Sequence, residues 1–207
     1  MSRRVVLVTG FEAFGGDGAN PSLEVAKALD GRVVGEAVVR SAVLPVHHAD
    51  ASPRVSRLID ETDPLAVVHL GLAGGRARIA LERVAVNVMD YDIPDNAGYQ
   101  ARGEPCAPGG PVAYFATLPI AAILTALLAE GIPAYVSNTA GTYLCNQTMY
   151  STLHRLAGRG NPARAGFVHL PLLPAMVAAS GLEQPSMDAA LMVRAVEIVI
   201  GVVARAA

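Results

Sequence analysis

The sequence predicts an α/β fold, a single-domain α/β/α sandwich with a mostly parallel twisted sheet. Short runs rich in β-branched residues alternate with helical patterns along the 207 residues. Several of these runs are apolar throughout, as expected for strands that are covered on both faces. No linker, internal repeat or low-complexity segment interrupts the pattern, so residues 1–207 are expected to form one domain.

The first elements are marked by signals at their ends. Val5–Val8 is an uninterrupted apolar run and predicts a buried strand, which a Gly-rich turn follows. The Asn-Pro-Ser segment at 20–22 predicts a helix start, because Asn or Ser can cap a helix and Pro is tolerated in its first turn. Gly31 is expected to end that helix, and a second strand is expected within Val33–Val46.

The later elements continue the alternation around one long irregular segment. In order, we expect a helix over Arg54–Asp60, a strand over Ala66–Leu72, an extended segment over Ile79–Val88, a helix over about Leu118–Glu130, a strand over Ala134–Ser137, a helix over Leu144–Leu156, a strand over Gly166–Leu170 and a last helix from near Ser186. Residues 90–111 are rich in Pro and Gly and are expected to form a loop. Loops of this length are often functional.

The composition excludes several classes of protein. The chain has 16 Lys and Arg against 18 Asp and Glu, and this net charge of −2 gives no sign of nucleic-acid binding. With 52% apolar and 16% charged residues, the chain is expected to fold around a large core. Two Cys residues cannot form a disulfide scaffold. Since no signal peptide or membrane span is recognised, we expect a cytoplasmic protein with no membrane partner.

In a parallel sheet, functional side chains gather beyond the carboxyl ends of the strands. The turns after Val8, Leu70, Ser137 and Leu170 are therefore expected to carry the chemistry. The third of these turns leads into a helix, and Cys145 stands near its start. Unpaired backbone N–H groups there would stabilise a thiolate and could hold an oxyanion. The alternative is a Cys that packs as a small hydrophobe.

Cys106 is the weaker candidate for a reactive thiol. It lies in a Pro-rich segment, and no strand end or helix start nearby would activate it. Its separation from Cys145 does not form a Cys-x-x-Cys pair, so a structural zinc site is not expected.

A thiol nucleophile needs a base and a third group that orients the base. His169 and His69 lie near strand ends at the expected functional edge, and the Pro-rich turn after His169 slightly favours it; either could instead be a satisfied core residue. Glu82 is the candidate third group, because a carboxylate in an apolar stretch must be paired or functional. An ion pair of Glu82 with Arg76 or Arg83 is the alternative. Asp90, Asp92 and Asp95 are loop alternatives to Glu82. His47 and His48 are expected in a solvated loop, and His154, about two and a half turns past Cys145 in the same helix, is too distant to touch the thiol.

Phe11 and Phe14 stand in the Gly-rich first turn, where aromatic side chains are unusual. They are expected either to form the wall of a pocket for a small flat or ring-shaped ligand or to anchor the loop. The turn lacks the Gly-x-Gly-x-x-Gly spacing, and the chain has no Gly-Lys-Ser/Thr sequence, so no nucleotide site is expected.

Five segments resemble those of pyroglutamyl peptidase type I, also called pyrrolidone-carboxylate peptidase, a family of cysteine peptidases. They are Leu7–Gly16 followed by Asn20–Ser22, Gly71–Arg76 with Glu82–Asn87, Ile93–Asn96, Ser137–Asn146 and Gly166–Pro171. Each segment alone is a modest signal, but five in the same order are specific. The resemblance runs from Val6 to about Pro174.

The resemblance implies a single catalytic domain that removes N-terminal pyroglutamate from peptides through a thioester. Cys145 would attack the carbonyl carbon, His169 would transfer the proton and Glu82 would orient His169. The substrate-binding positions that the family implies are Phe11, Phe14, Ile93, Tyr143 and Leu144. No metal or organic cofactor is implied. Relatives form dimers or tetramers, so a homodimer or homotetramer is expected.

The chain departs from the family pattern at three positions. Ala13 replaces a Pro between the two Phe residues, Ala80 replaces a Ser or Thr near Glu82, and Asp92 replaces an Arg that bacterial relatives often have. Two rival hypotheses follow: a cysteine amidohydrolase for another small amide, and a non-catalytic small-molecule-binding or scaffold homologue.

Overall fold

The computed structural model describes residues 4–15 and 18–206. Its strands are β1 (Arg4–Phe11), β2 (Val33–Val34), β3 (Ala37–Leu44), β4 (Ala66–Leu72), β5 (Ile79–Glu82), β6 (Val84–Val86), β7 (Met89–Asp90), β8 (Arg102–Glu104), β9 (Ala113–Phe115), β10 (Ala134–Ser137) and β11 (Arg164–Leu170). Its helices are α1 (Pro21–Leu29), α2 (Ala51–Thr62), α3 (Ile120–Ala129), α4 (Leu144–Gly158), α5 (Pro174–Ser180) and α6 (Ala189–Arg205). Seven strands form the central sheet, in the order β10-β5-β11-β4-β1-β3-β2.

Four neighbouring strands of this sheet, β3, β1, β4 and β11, run parallel. β5 pairs antiparallel with β11, and β10 runs parallel to β5. The α/β fold with a mostly parallel sheet is thus confirmed. The expectation that the turn after Ser137 leaves at the same edge as the others is wrong, because β10 runs opposite to the four parallel strands. Residues 138–143 then connect the end of β10 to α4.

Helices cover both faces of the sheet, and β1 shows how the two cores are divided. Val6 and Val8 belong to one core, with the buried faces of α1, α3 and α6. Leu7 and Phe11 belong to the other core, with α2 and α4. Successive side chains of a strand point to opposite faces, so an uninterrupted apolar run fills both cores. The arrangement is the α/β/α sandwich that the alternating pattern predicted.

Two predicted segments differ from the structure in ways that affect the site. β1 continues to Phe11, which is buried at 3% exposure instead of lying in an open loop. The extended segment over Ile79–Val88 is divided between two sheets at Arg83. There the Arg83 N–H donates to the Ser137 carbonyl, while the Arg83 carbonyl accepts from Ala116. The chain therefore changes its hydrogen-bond partners directly after Glu82.

The C-terminal region contains one helix more than expected. α5 precedes the predicted last helix, and α6 begins at Ala189 because the Asp188 side chain accepts from the Ala190 N–H. Charged residues interrupt the apolar sequence of α6. Within the ranges that the structure describes, no helix has the length and apolarity needed to cross a membrane.

Candidate active site

Glu82 and His169 form a buried pair in the middle of the sheet. Glu82 ends β5, and His169 lies two residues after Phe167, which faces Glu82 across the antiparallel pairing with β11. The Nδ1 atom of His169 lies 2.7 Å from Oε1 of Glu82, and both side chains are buried. A carboxylate that accepts the Nδ1 proton fixes the ring orientation and leaves Nε2 as the atom that can accept a proton.

Arg76 contacts the same carboxylate oxygen. Its NH1 atom lies 3.0 Å from Oε1 of Glu82, and its side chain is one-third exposed. The second oxygen of Glu82, Oε2, is buried and has no hydrogen-bond partner in the described residues. The ion pair that the sequence left as an alternative role for Glu82 therefore exists together with the His169 bond. Arg83, the other candidate partner, makes no ion pair with any residue that the structure describes.

Cys145 is the second residue of α4 and lies against β4. A Cβ added to Gly71 would lie 3.0 Å from its Sγ atom and 2.7 Å from the Phe167 ring. Gly71 is also the register partner of His169, so the thiol lies beside the strand pair that carries the imidazole. Among the described side chains, His169 is hydrogen bonded to Glu82 and not to the thiol.

Burial, and after it the charge of Glu82, raise the pKa of the Cys145 thiol to about 12, and a backbone N–H group and Arg76 oppose this rise. The backbone N–H at the helix start favours the thiolate, as expected, but burial has the larger effect on this pKa. A thiol in this state is protonated at neutral pH. It needs a base at the moment of attack, and this is the role that the orientation of His169 suits.

The first turn of α4 offers donors for a developing oxyanion. The Gln147 N–H makes the first helical bond, to the Tyr143 carbonyl. The N–H groups of Leu144, Cys145 and Asn146 precede this bond and have no acceptor within the helix. Donors of this kind next to a nucleophile can stabilise a tetrahedral intermediate.

A narrow cavity of about 20 Å³ lies beside the thiol. It is lined by Phe11, Phe14, Asn20, Val46, Leu72, Tyr143, Leu144 and Cys145. Four predicted substrate-binding residues thus lie around one cavity. The fifth, Ile93, is 43% exposed and lies outside this lining, on the loop whose Pro94 carbonyl accepts from the Tyr143 hydroxyl. Two larger grooves elsewhere, near Arg164 and between α3 and α6, contain no Cys or His.

Asn20 and Glu12 hold the first loop in place around this cavity. The Asn20 side chain caps α1 through the Ser22 N–H and donates to the Glu12 carbonyl. Oε1 of Glu12 accepts from the Val46 N–H and the Asn96 side chain. The sequence pattern gave Asn20 only a capping role and did not single out Glu12. The one sign in the sequence that could have indicated their role is that both are polar residues close to Phe11 and Phe14.

Two polar residues after Cys145 fix the start of α4. The Asn146 side chain accepts from the Val86 N–H and donates to the carbonyls of Val86 and Val88. Gln147 accepts from the Tyr91 hydroxyl and donates to the His48 carbonyl. Sequence reasoning missed both roles, although two amides directly after a candidate nucleophile could have indicated anchoring.

The competing Cys and His residues have structural partners. The Cys106 sulfur lies 3.7 Å from the Val86 carbonyl, and burial raises the pKa of this thiol to about 11. Both ring nitrogens of His69 are hydrogen bonded to threonine hydroxyls, those of Thr9 and Thr152. His154 is hydrogen bonded to the Tyr114 hydroxyl.

One group in residues 4–15 and 18–206 has the composition of a metal site. His47, His48 and Asp95 each offer a ligand atom, and these atoms lie within 4.8 Å of one another. The oxygens of Asp95 already accept from the His48 ring and from three backbone N–H groups, including that of Tyr99. These bonds hold the loop that follows Ile93, which gives the cluster a structural role.

The Glu82–His169 pair is present despite the three departures from the family pattern. The Ala13 carbonyl accepts from the Asn96 side chain. Ala80 is fully buried and pairs with His169 through the backbone. Asp92 is exposed, and its carbonyl accepts from the Gln100 side chain.

Comparisons with known proteins agree with this architecture. The family model for pyroglutamyl peptidase matches residues 4–206. The pyrrolidone-carboxylate peptidase of Pyrococcus furiosus is 46% identical over 200 residues, which are 95% of this chain and 96% of that protein. The Klebsiella pneumoniae protein of the same name is 47% identical, over 97% of this chain and 92% of its own.

A solved structure of the Pyrococcus furiosus pyrrolidone carboxyl peptidase superposes on this one with a TM-score of 0.95 at 45% identity. The superposition covers 98% of this chain and 99% of that one. The resemblance that the five segments indicated is thus confirmed over nearly the whole length. This chain belongs to the pyroglutamyl peptidase family.

Proposed function

We propose that this chain is a cysteine exopeptidase that hydrolyses the amide bond after an N-terminal pyroglutamyl residue. Its membership of the family and the names of its relatives support this activity. The observation that carries the proposal is the buried Glu82–His169 pair, at 2.7 Å, next to the Cys145 thiol. A buried carboxylate, an imidazole and a thiol are the three groups that nucleophilic acyl transfer requires.

In the proposed reaction, Nε2 of His169 takes the proton of the thiol as Sγ of Cys145 bonds to the carbonyl carbon. The carbonyl oxygen becomes an oxyanion that the first N–H groups of α4 stabilise. His169 then gives its proton to the departing amine, and a thioester remains. Water, deprotonated by His169, attacks the thioester and releases pyroglutamate and the thiol. Glu82 holds the ring throughout and stabilises the imidazolium.

The cavity suits an uncharged ring. The pyroglutamyl group has a cyclised amide in place of an α-ammonium, so recognition by a carboxylate would fail. The lining beside the thiol is mainly apolar and aromatic, with the Phe14 and Tyr143 rings 6.1 Å apart. An apolar lining of this kind suits the lactam ring and gives an α-ammonium no counter-charge, and the narrow cavity must widen to admit the ring.

Hydrolysis of a pyroglutamyl-coumarin amide tests the proposal. Wild type is expected to release the fluorophore, Cys145→Ser to lose nearly all activity, and Cys106→Ser to stay active and sensitive to iodoacetamide. Equal activity of wild type and Cys145→Ser would end the assignment of Cys145. Prolyl and glutaminyl amides are expected to be poor substrates. Rapid cleavage of one of them instead would favour an amidohydrolase for another small amide, and pyroglutamate binding without turnover would favour a non-catalytic homologue.

We further propose that residues 1–207 form one catalytic domain that assembles as a homodimer or homotetramer in the cytoplasm. Val112, directly before β9, and Phe115, its last residue, are 87% and 71% exposed. Exposed apolar side chains of this kind support an interface with another subunit. Both cysteines are free, and a free thiol nucleophile suits a reducing compartment. Light scattering after size exclusion tests the assembly, and a monomer at micromolar concentration would contradict it. Cell fractionation tests the compartment.

A further inference from the structure

Arg76 bonds to the oxygen of Glu82 that also holds His169. The two contacts are 3.0 Å from Arg76 NH1 and 2.7 Å from His169 Nδ1, both to Oε1. The Glu82 side chain is fully buried, and Oε2 has no partner in the described residues. One oxygen therefore carries both contacts of a buried carboxylate, and the position of Oε1 depends on the guanidinium and the imidazole together.

The net charge of the site formed by Glu82, His169 and Cys145 is zero only when Arg76 is included. In the resting site a positive Arg76 faces a negative Glu82. When the thiol proton moves to His169 and the carbonyl oxygen becomes negative, one positive and one negative charge are added, so the sum stays at zero. Without Arg76 the same site would hold a buried excess negative charge at every stage, and burying an unpaired charge is costly.

We propose that Arg76 is a positioning residue of the reaction, which fixes Oε1 of Glu82 for His169 and offsets the Glu82 charge when Cys145 and the oxyanion become negative. This inference rests on the function proposed above. The direction of the electrostatic effect on the thiol agrees with it, since Glu82 raises and Arg76 lowers the Cys145 pKa. Arg76 acts through Glu82 and needs no contact with the substrate.

The titratable groups around the thiol come from several elements. Glu82 acts on the thiol from β5, His169 lies on β11 opposite Gly71, and Tyr143 stands directly before α4. On β4, burial lowers the pKa of His69 to about 3, so that ring stays neutral at the pH of the test. Arg76 is the cation that acts on the Cys145 charge.

A merely structural role is the competing explanation. Arg76 lies on the segment between β4 and β5, and its ion pair could simply fix that segment. Arg78, two residues further, provides a matched control. Its guanidinium lies 4.6 Å over the Tyr135 ring, away from Glu82, so its loss removes a cation from the same segment without touching the pair.

The experiment compares Arg76→Gln, Arg76→Lys and Arg78→Gln in a Cys106→Ser background, in which Cys145 is the remaining thiol. Two quantities are measured: the rate of iodoacetamide alkylation of Cys145 from pH 7 to 9, and kcat and KM for a pyroglutamyl-coumarin amide. A nearby positive charge lowers the pKa of a thiol by about one unit, which raises the fraction of thiolate about tenfold. For Arg76→Gln we therefore expect alkylation about tenfold slower at each pH.

In the same variant kcat is expected to fall at least about tenfold with KM nearly constant, because the charge is needed as the oxyanion forms. Arg76→Lys should recover part of both losses, and Arg78→Gln should match the parent. An Arg76→Gln protein with parental alkylation and kcat would overturn the inference. Equal losses in the Gln and Lys variants would also overturn it, because they would indicate that only the shape of Arg76 matters.

Folding and function can be separated in this design. Circular dichroism at the assay temperature identifies an unfolded Arg76→Gln, in which case the Lys variant is compared with the parent alone: alkylation within about threefold of the parent supports the charge role, and alkylation about tenfold slower than the parent opposes it. Alkylation requires no substrate. A parent that fails to cleave the amide would therefore refute the proposed function while a tenfold alkylation difference still supported the role of Arg76.

Discussion

At Gly71, a single added methyl group would contact the proposed nucleophile. A Cβ there would lie 2.7 Å from Cζ of Phe167 and 3.0 Å from Sγ of Cys145. Both distances are shorter than packed atoms allow, so Phe167, Cys145 or the backbone must move. Because His169 is the register partner of Gly71, any backbone shift there also moves the imidazole.

Gly71→Ala is expected to lower kcat/KM for a pyroglutamyl amide by about tenfold to a hundredfold, since a misplacement of about 1 Å can cost that much. The strain is expected to lower the free energy of unfolding by about 1–3 kcal/mol. Gly74→Ala is the matched control, because the nearest atom to its added Cβ lies at 4.0 Å. Kinetics and urea unfolding of both variants provide the check, and a fully active Gly71→Ala would show that the thiol is not held by this contact.

At the scale of elements, α4 is tied to the segment after Glu82 by the Asn146 side chain. The amide bonds to the Val86 N–H and to the carbonyls of Val86 and Val88, and Asn146 itself is completely buried. In the described residues, the Asn146 amide is a hydrogen-bond partner that the structure gives to all three of these backbone groups. The bonds therefore fix the helix start that carries Cys145.

Asn146→Leu is expected to lower the free energy of unfolding by about 3 kcal/mol, because three buried backbone groups lose their partner. Thr148→Val on the same helix is the control. The Thr148 hydroxyl is buried without a partner in the described residues, so its removal should be neutral or slightly stabilising. Urea unfolding curves measure both changes. Equal stabilities for the two variants would contradict the anchoring role.

His69 connects three elements, since its ring nitrogens bond to Thr9 of β1 and Thr152 of α4 while the residue itself lies in β4. Burial lowers its pKa from 6.5 to about 3. The unfolded chain then binds a proton more readily than the folded one. The stability that the neutral ring contributes is complete above pH 6.5 and is lost as the pH falls toward 3.

His69→Gln should therefore weaken the pH dependence of stability. Gln can donate to one threonine and accept from the other but has no charge to gain. Between pH 6 and 4 the free energy of unfolding of wild type should fall more steeply, by about 1 kcal/mol per pH unit, than that of the variant. Urea titrations at three pH values measure the slopes. Parallel slopes would show that His69 protonates in the folded state.

The sequence predicted these elements unevenly, for physical reasons. Apolar runs such as Ala66–Leu72 were found with the observed bounds, because a strand covered on both faces has a strong local signal. The antiparallel direction of β5 and β10 relative to the other strands was not predicted, since strands of four residues carry no local sign of their direction in the sheet. Residues 90–111 were expected to be a loop but contain β8, a three-residue strand that pairs with the two-residue β7 at the start of this segment.

The candidate site was predictable where motifs or local signals existed. Cys145, His169 and Glu82 stood at strand or helix ends and in segments that resemble the family, and the structure brings Glu82 and His169 into contact. The roles of Arg76 and Asn146 depend on contacts between segments that are distant in the sequence. Local sequence patterns do not predict such contacts. The raised pKa of Cys145 also had no local sign, because it depends on burial by the whole fold.

At the scale of the whole molecule, the site joins elements from most of the chain. β1 contributes Phe11, β5 contributes Glu82, α4 contributes Cys145 and β11 contributes His169, and β4 lies between β1 and β11 in the sheet. The cavity lining, the nucleophile and the base extend from Phe11 to His169, so no single element of the described chain contains the site. If residues 1–207 form one domain as proposed, the site cannot persist after the sheet is lost.

Unfolding is therefore expected to be one cooperative transition at a fixed protein concentration. In a urea series, loss of peptidase activity, loss of helical circular dichroism and exposure of Cys145 to a thiol reagent should share one midpoint in a Cys106→Ser background. Saturating pyroglutamate should move all three midpoints upward together, because a ligand bound only to the folded state stabilises every element that forms its site. Activity lost well before helicity would indicate that the loop around Phe14 opens separately, and it would contradict a single cooperative unit.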